Sequence, residues 1–190
     1  SGKSPMVKYW VHSGVLTIDG KKMSKSLGNF ITIRDLLKSY PPEVIRFMSL
    51  SAHYRTPLDY NEKIIKQSEA GVSRIYEFVQ KLNLATGEGE ENAEKRVEKA
   101  KQEFLQAMDD DFNTPQAFAS LFDLIRGLNT ALTGNSLDKD SIESIRKFFK
   151  EVDSILGIIP SKQEKNPDEV AEVVEKREKL REENNFAEAD

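Results

Sequence analysis

A lysine- and serine-rich loop beside two glycines has the side chains that a phosphate ligand requires. Residues 21–29 read Lys-Lys-Met-Ser-Lys-Ser-Leu-Gly-Asn and follow directly on Gly20. Three ammonium groups can neutralise phosphate charge, while the hydroxyls and backbone N–H groups can donate directional hydrogen bonds. No Gly-x4-Gly-Lys pattern precedes the serines, so this is not the usual P-loop. We call residues 21–29 the candidate phosphate loop; by composition alone, an ordinary solvated turn is the alternative.

A short strand and a tight turn are expected to position the start of this loop. Residues 15–18 (Val-Leu-Thr-Ile) predict a strand. Asp19 and Gly20 predict a tight reversal after it, because glycine accepts positive φ. Before the strand we expect a short helix over residues 5–12, with Trp10 in the core rather than stacked on a base.

From Thr32 onward the sequence is typical of helices. Helix starts are predicted at Thr32, Pro42, Asn61 and Asn113. Apolar residues at spacings of three and four predict amphipathic faces within residues 72–82, 97–108, 118–132 and 142–155. We expect the last three faces to bury one core as an antiparallel bundle, with the phenylalanine-rich stripes at 118–132 and 145–156 inside it.

These elements predict a mainly α fold with a short α/β segment, divided into three parts. Residues 1–60 contain the candidate phosphate loop, and residues 61–160 form the helical bundle, with an acidic, glycine-containing linker at about 84–93. Residues 161–190 predict a charged helix with few apolar residues. That helix stops at Asp190 without a C-terminal stop signal, which indicates truncation.

Charge and composition limit the classes of function. The net charge of −4 divides into +6 for residues 1–83 and −10 for residues 84–190, so we expect an anionic ligand to meet the first part. No apolar run approaches the ~20 residues that span a bilayer, and the start lacks a signal-peptide pattern. The chain has no cysteine, hence neither a disulfide framework nor a thiol nucleophile, which is compatible with a reducing cytoplasm.

The order of residues 22–26 identifies the loop more closely. Lys-Met-Ser-Lys-Ser (KMSKS) is the signature loop of class I aminoacyl-tRNA synthetases, and it is complete here. Further blocks resemble the cysteinyl-tRNA synthetase family; they lie at residues 8–14, 27–30, 42–46, 51–60 and 107–115. The resemblance is strong from about residue 5 to 132, weakens to 159 and resumes faintly at 185–190. One departure is Pro41, where the family often has Asp.

The resemblance implies an activity, its substrates and a role for each loop residue. The family activates cysteine with ATP, with the Mg²⁺ that accompanies ATP, and transfers it to tRNA(Cys). ATP would be bound by Lys22, Met23, Ser24, Lys25 and Ser26. Lys25 would be the main catalytic residue and Lys22 would support it, with Gly20 and Gly28 as hinges. Residues 1–60 would then end a Rossmann-type catalytic domain and form a strand-helix-helix region that contacts tRNA.

Other parts that this family needs are missing from the sequence. There is no His-Ile-Gly-His loop, and the zinc site of cysteines, a histidine and a glutamate has no counterpart, since the chain has no Cys and only two His. We therefore expect a cytoplasmic, monomeric central-to-C-terminal fragment that is inactive alone and holds no metal. A stand-alone tRNA- or partner-binding helical module, and a class I ligase for another amino acid, are the alternatives.

Several cations and one histidine are further candidates. Arg46, Arg55 and Lys63 could contact tRNA phosphates, since Arg and Lys make most contacts to nucleic-acid backbones. Arg55 could instead pair with Asp59 and serve only the fold. His12 could face a nucleotide site or be structural.

Three adjacent carboxylates at residues 109–111 allow two interpretations. They could form part of a metal site. A favourable charge close to the N-terminus of the next helix is the preferred interpretation.

Overall fold

The computed structural model describes residues 7–160, in which a small sheet is joined to a mainly helical structure. The elements are β1 Leu16–Ile18, β2 Lys21–Lys22, α1 Ile33–Leu36, α2 Pro42–Leu50, β3 Leu58–Tyr60, α3 Glu62–Leu84, α4 Glu94–Asp109, α5 Thr114–Thr133 and α6 Lys139–Leu156, with a 3-10 turn at Lys25–Leu27. Within residues 7–160, no helix combines the length and apolarity needed to cross a membrane.

The described residues up to Ile159 form one compact unit. The helix predicted over residues 161–190 lies outside the described residues. The boundary predicted between residues 60 and 61 stays a prediction.

The sheet has the order β2-β1-β3, so β1 lies at its centre. β1 pairs antiparallel with β2, with Thr17 opposite Lys22, and parallel with β3, with Leu16 opposite Leu58. The predicted strand and the turn after it are confirmed. β3 was not predicted, because a three-residue strand has too little alternation to detect and its partner lies far away in the sequence.

Three of the four predicted helix starts have side-chain caps, whereas α2 begins at the predicted Pro42 without one. The Thr32, Asn61 and Asn113 side chains each accept a hydrogen bond from the backbone N–H three residues later. Such caps satisfy a donor that the helix itself leaves unpaired. Asp138 does the same for α6, and Gly157 ends α6 in the left-handed conformation with φ +59°.

Helices α3 to α6 bury a common core that contains the phenylalanine-rich stripes. The rings of Phe78 and Phe149 are 5.1 Å apart between centroids, and those of Phe104 and Phe148 are 6.1 Å apart. One residue of the face predicted within residues 142–155 is wrong: Ile155 is 56% exposed, and Leu156 is buried in its place. Leu156 lies four residues after Val152 and therefore stays on the core side of α6, whereas Ile155, three residues after Val152, faces solvent.

The connection from α3 to α4 is tied to the start of α6. Residues 88 and 91 form isolated β-bridges with residues 138 and 137. Ala93 N–H donates a hydrogen bond of 2.7 Å to the buried Ser141 hydroxyl. Residues 85–93 are thus non-helical and are held against residues 136–138 by backbone hydrogen bonds.

Phe47 joins α2 to the helical core. Its ring stacks on Phe118 at 4.5 Å and meets Phe122 edge-on at 6.1 Å between centroids. Gly71 of α3 lies against the same ring, and a Cβ at Gly71 would come within 2.6 Å of Phe47 Cζ. Because α2 and β3 are separated by only a short loop, this contact also fixes the sheet against the helices.

The helix predicted before β1 is wrong where the structure describes it. Residues 7–15 are not helical, and Trp10 is 74% exposed rather than buried. The end of this segment packs against residues 54–56 instead. Gly14 N–H donates a hydrogen bond to the Tyr54 carbonyl at 2.7 Å, and a Cβ at Gly14 would lie 2.2 Å from the backbone oxygen of Thr56. This close approach requires glycine, and it takes the backbone out of helical pairing.

A charged contact joins the loop after α2 to the turn between α4 and α5. Arg55 Nε donates to Asp111 Oδ2 at 2.5 Å, and the Tyr54 hydroxyl donates to Asp111 Oδ1 at 2.6 Å. The alternative in which Arg55 pairs with Asp59 is therefore wrong. Asp59 accepts its hydrogen bonds from Thr17, Gly20 and Asn61 instead.

The preferred interpretation of residues 109–111 stays a prediction. Asp109 is the last residue of α4 and Asp110 is its C-cap, whereas Asn113 caps α5. Asp111 adopts φ +53° and Phe112 adopts φ +55°. Two consecutive left-handed residues other than glycine are costly in backbone energy, and in Asp111 this conformation accompanies the contact with Arg55.

We expect Phe47→Ala to lower the free energy of unfolding of the chain by about 3–5 kcal/mol, because it leaves a cavity among α2, α3 and α5. Urea denaturation followed by circular dichroism measures this. Leu84→Ala is the control, since Leu84 is 82% exposed and its truncation should change the free energy by less than about 0.5 kcal/mol. Equal effects of the two substitutions would contradict the assigned role of Phe47.

Asp111 should make the stability of the chain depend on pH in the acidic range. The hydrogen bond from Arg55, followed by that from Tyr54, lowers the pKa of Asp111 from 3.8 to about 2. A lowered pKa stabilises the fold above the unfolded value and loses this contribution as the pH falls towards the folded value. The difference in thermal midpoint between the wild type and Asp111→Asn should thus be constant above about pH 5 and shrink between about pH 4 and pH 2. A difference that stays constant throughout would refute this.

Candidate functional site

The candidate phosphate loop begins at a two-residue turn between β1 and β2. Asp19 and Gly20 have φ angles of +49° and +73°. Positive φ at both central residues is typical of the type I′ hairpin turn, for which Asp-Gly is a preferred sequence. A Cβ at Gly20 would meet no atom within 4 Å, so the backbone angle rather than space favours glycine here.

The carboxylate of Asp59, on β3, holds this turn in place. Asp59 Oδ1 accepts hydrogen bonds from Thr17 Oγ1 at 2.6 Å and from Gly20 N–H at 2.8 Å, and Oδ2 accepts one from Asn61 Nδ2 at 2.8 Å. These donors, with Thr17 first, lower the pKa of Asp59 below its ordinary value. Asp59 is therefore ionised at neutral pH and acts as an acceptor for β1, the turn and the residue that caps α3.

Ser24 organises the middle of the loop. Its hydroxyl and its carbonyl both lie 3.3 Å from Leu27 N, which makes Ser24 the cap of the 3-10 turn at Lys25–Leu27. The hydroxyls of Ser24 and Ser26 are 3.2 Å apart. Two hydroxyls that already share a hydrogen bond can both turn towards one anion.

The loop is open to solvent and positively charged. Lys22 and Ser26 are exposed, Met23 and Ser24 are half-buried, and Lys25 is the first residue of the 3-10 turn. Within the described part of the chain, Lys22 forms no ion pair. Such a loop can receive the charge and the oxygen atoms of a phosphate group.

Asn29 closes the loop, and sequence reasoning did not include it among the site residues. Its Oδ1 accepts a hydrogen bond from Ser24 N–H at 2.9 Å, and its Nδ2 donates to the Lys22 carbonyl at 3.2 Å. Gly28, with φ +67°, turns the chain back so that Asn29 reaches the start of the loop. The available signal was the position of Asn29 beside a glycine that ends the loop.

The three candidate tRNA contacts lie on separate elements. Arg46 is exposed on α2 and lies against the end of α6, where a Cβ at Gly157 would be 3.3 Å from Arg46 Nη1. Lys63 is exposed in the first turn of α3. Arg55 is bound to Asp111, and its guanidinium also lies 5.1 Å from the centre of the Tyr54 ring.

His12 does not belong to an interior cluster. It is exposed, and its ring is 6.5 Å from that of Trp10 between centroids. Among residues 7–160, no group of three or more His, Cys, Asp or Glu side chains is arranged to hold a metal ion.

Two family models match the chain. The model described as the tRNA synthetases class I (C) catalytic domain matches residues 1–70, which include the candidate phosphate loop and the whole sheet. The DALR domain model matches residues 103–160, from the second half of α4 to the end of α6.

Relatives extend the match to almost the whole chain. The cysteine–tRNA ligase of Caldicellulosiruptor saccharolyticus is 39% identical over 98% of this chain and 42% of its own length. The ligase of Geobacter sulfurreducens is 43% identical over 83% of this chain and 34% of its own length. The ligase of Thermococcus gammatolerans is 39% identical over 97% of this chain and 42% of its own length. The chain thus spans about two fifths of the length of the curated relatives it matches.

A solved structure supports the fold. A ternary complex of LeuRS, tRNA and LeuAMS from Agrobacterium radiobacter matches with a TM-score of 0.61 over 77% of this chain and 20% of that chain. At 17% sequence identity this likeness concerns the fold alone. The family models and the relatives lead to one conclusion: the chain belongs to the cysteinyl-tRNA synthetase family of class I aminoacyl-tRNA synthetases.

Proposed function

We propose that this chain supplies the ATP-phosphate loop and tRNA-contacting helices of a cysteine–tRNA ligase, which activates cysteine with ATP and transfers it to tRNA(Cys). The observation that carries the proposal is the candidate phosphate loop. Its Lys22 and Ser26 are exposed, it contains the complete KMSKS sequence, and residues 21–27 lie between two glycines, Gly20 and Gly28, that both have positive φ. Its match to a class I catalytic-domain model supports the same function.

The proposed reaction has two steps. A carboxylate oxygen of cysteine attacks the α-phosphorus of ATP, and the bond from that phosphorus to the bridging oxygen breaks, so that pyrophosphate leaves with the electron pair. The terminal ribose hydroxyl of tRNA then attacks the acyl carbon, and AMP leaves. In the first step, negative charge increases on the leaving pyrophosphate.

The loop residues act on that increasing charge. Lys25 would stabilise the charge on the β- and γ-phosphates in the transition state, with Lys22 in support. Ser24, which already caps the 3-10 turn, and Ser26 would donate hydroxyl hydrogen bonds to the same phosphates. Met23 would take part through its position between Lys22 and Ser24, and Gly20 and Gly28 would let the loop move on and off the nucleotide.

The residues of this chain do not fit the zinc site of the family. The sequence has no Cys and two His, so that site lacks its thiolate ligands here. The Mg²⁺ that accompanies ATP takes its ligands mainly from the phosphates and from water. The roles proposed for this chain's own residues concern its lysines, hydroxyls and backbone.

The finer architecture is part of the proposal. The parallel pair of β1 and β3 would be the end of a Rossmann-type catalytic domain, with α2 and α3 as the strand-helix-helix region that contacts tRNA. Helices α4 to α6, which share one core, would form an antiparallel bundle. The matches of the two family models to residues 1–70 and 103–160 support this arrangement.

Arg46 and Lys63 are the better candidates for contacts to tRNA phosphates. Both are exposed, and neither forms an ion pair with another residue of the described range 7–160. Arg55, by contrast, already donates hydrogen bonds from Nε and Nη2 to the Asp111 carboxylate. We therefore assign Arg55 mainly to the fold, with any contact to tRNA left to its remaining N–H groups.

We expect Lys25→Ala in the full-length ligase to slow ATP–pyrophosphate exchange by at least about 100-fold, because one electrostatic contact to the transition state is lost. Lys99→Ala is the matched control, since Lys99 is an exposed lysine of α4 that lies 3.7 Å from Glu103. Its exchange rate should stay that of the wild type. Wild-type exchange in Lys25→Ala would rule out the proposed role of the loop.

We expect the double substitution Arg46→Ala and Lys63→Ala to weaken tRNA binding and to flatten its dependence on salt. Each lost phosphate contact should reduce the slope of log K against log salt concentration by roughly 1. Filter binding of tRNA(Cys) to the full-length ligase at several salt concentrations measures both quantities. An unchanged slope would show that neither side chain meets a phosphate; Lys99→Ala again serves as the control.

A further inference from the structure

We propose that Asn29 is a positioning residue that holds the candidate phosphate loop in the shape needed for adenylation. The inference rests on the proposed function, since it assigns the means by which that loop is held. It depends on the two hydrogen bonds of one carboxamide, which join residues on both sides of Met23.

The carboxamide of Asn29 takes the place of a peptide group from a neighbouring strand. In a parallel ladder, one residue donates to a carbonyl of the facing strand and accepts from the N–H two residues further along. Asn29 makes the same pair of bonds, donating to the Lys22 carbonyl and accepting from Ser24 N–H. Residues 22–24 are therefore held beyond the point where β2 ends.

No other contact could easily replace this one. β2 contains two residues, and past it the ladder continues with a single bond of 3.4 Å from Met23 N–H to the Leu16 carbonyl. Without the Asn29 side chain, the Lys22 carbonyl and Ser24 N–H would form hydrogen bonds to water instead. The chemistry also requires Asn: an aspartate retains an acceptor for Ser24 but has no N–H for the Lys22 carbonyl.

The two bonds determine where the phosphate-binding groups lie. Ser24 is held by its N–H and in turn caps the turn at Lys25–Leu27, so Asn29 acts on the start of that turn through Ser24. The Lys22 backbone is held by its carbonyl. Loss of the Asn29 side chain should thus allow the loop more conformations and lower the fraction of molecules whose loop can stabilise the transition state.

The first test measures the loop without the reaction. In the full-length ligase, we expect Asn29→Ala to speed tryptic cleavage after Lys22 and Lys25 by about 10-fold relative to sites elsewhere, because two hydrogen bonds are lost. Asn29→Asp, which loses only the bond to the Lys22 carbonyl, should also speed this cleavage, by a smaller factor. Asn92→Ala is the matched control: the Asn92 carboxamide also makes two hydrogen bonds, to Asp138 and from Glu94 N–H, in the α3–α4 connection. Loop cleavage at the wild-type ratio in Asn29→Ala would overturn the proposal.

The second test separates positioning from general stability. In pyrophosphate exchange, Asn29→Ala should lower kcat about 10-fold and Asn29→Asp by a smaller factor, both with unchanged KM for cysteine, whereas Asn92→Ala should change neither constant. Faster loop cleavage with unchanged kcat, or an equal fall in kcat in Asn92→Ala, would refute the role of Asn29. Wild-type exchange in Lys25→Ala would instead refute the proposed function, while the cleavage result would still report on Asn29 itself.

Discussion

The carboxylate of Asp59 is the interaction on which the arrangement of the site depends. It binds the hydroxyl of Thr17 in the central strand, the amide of Gly20 in the hairpin turn, and the side chain of Asn61, which caps α3. One charged group thus fixes the sheet, the start of the loop and the N-terminus of α3 together. Charge-assisted hydrogen bonds are stronger than neutral ones, which suits a group that must hold three elements at once.

The helical part of the fold follows closely from the sequence because its signals are local. A cap such as Asn61 or Asn113 and a stripe with spacings of three and four can each be recognised within a few residues. The errors lie where distant residues decide. Trp10 is exposed because Gly14 draws its segment against residues 54–56, and β3 exists only through its pairing with β1. Neither contact has a local pattern.

The candidate site divides in the same way. The residue types of the loop predict a phosphate ligand, and the order of residues 22–26 predicts a class I aminoacyl-tRNA synthetase loop; the roles of its residues stay predictions. The supports of the loop were not predictable: Asp59 and Asn29 act through hydrogen bonds to backbone or to distant side chains, which no spacing rule encodes. Arg55 shows the limit most clearly, because its partner Asp111 lies 56 residues away while the nearby Asp59 is occupied elsewhere.

The pairing of β1 with β3 also has a consequence for the order of folding. Thr17 and Asp59 are 42 residues apart, and closing so long a segment costs chain entropy before any contact repays it. Helices α4 and α5, by contrast, are consecutive and meet across a short turn. The sheet should therefore form after α2 has docked through Phe47 on the helices. In this order of folding the candidate phosphate loop gains its shape last, so that a partly folded chain does not yet have the hydrogen bonds that hold the loop.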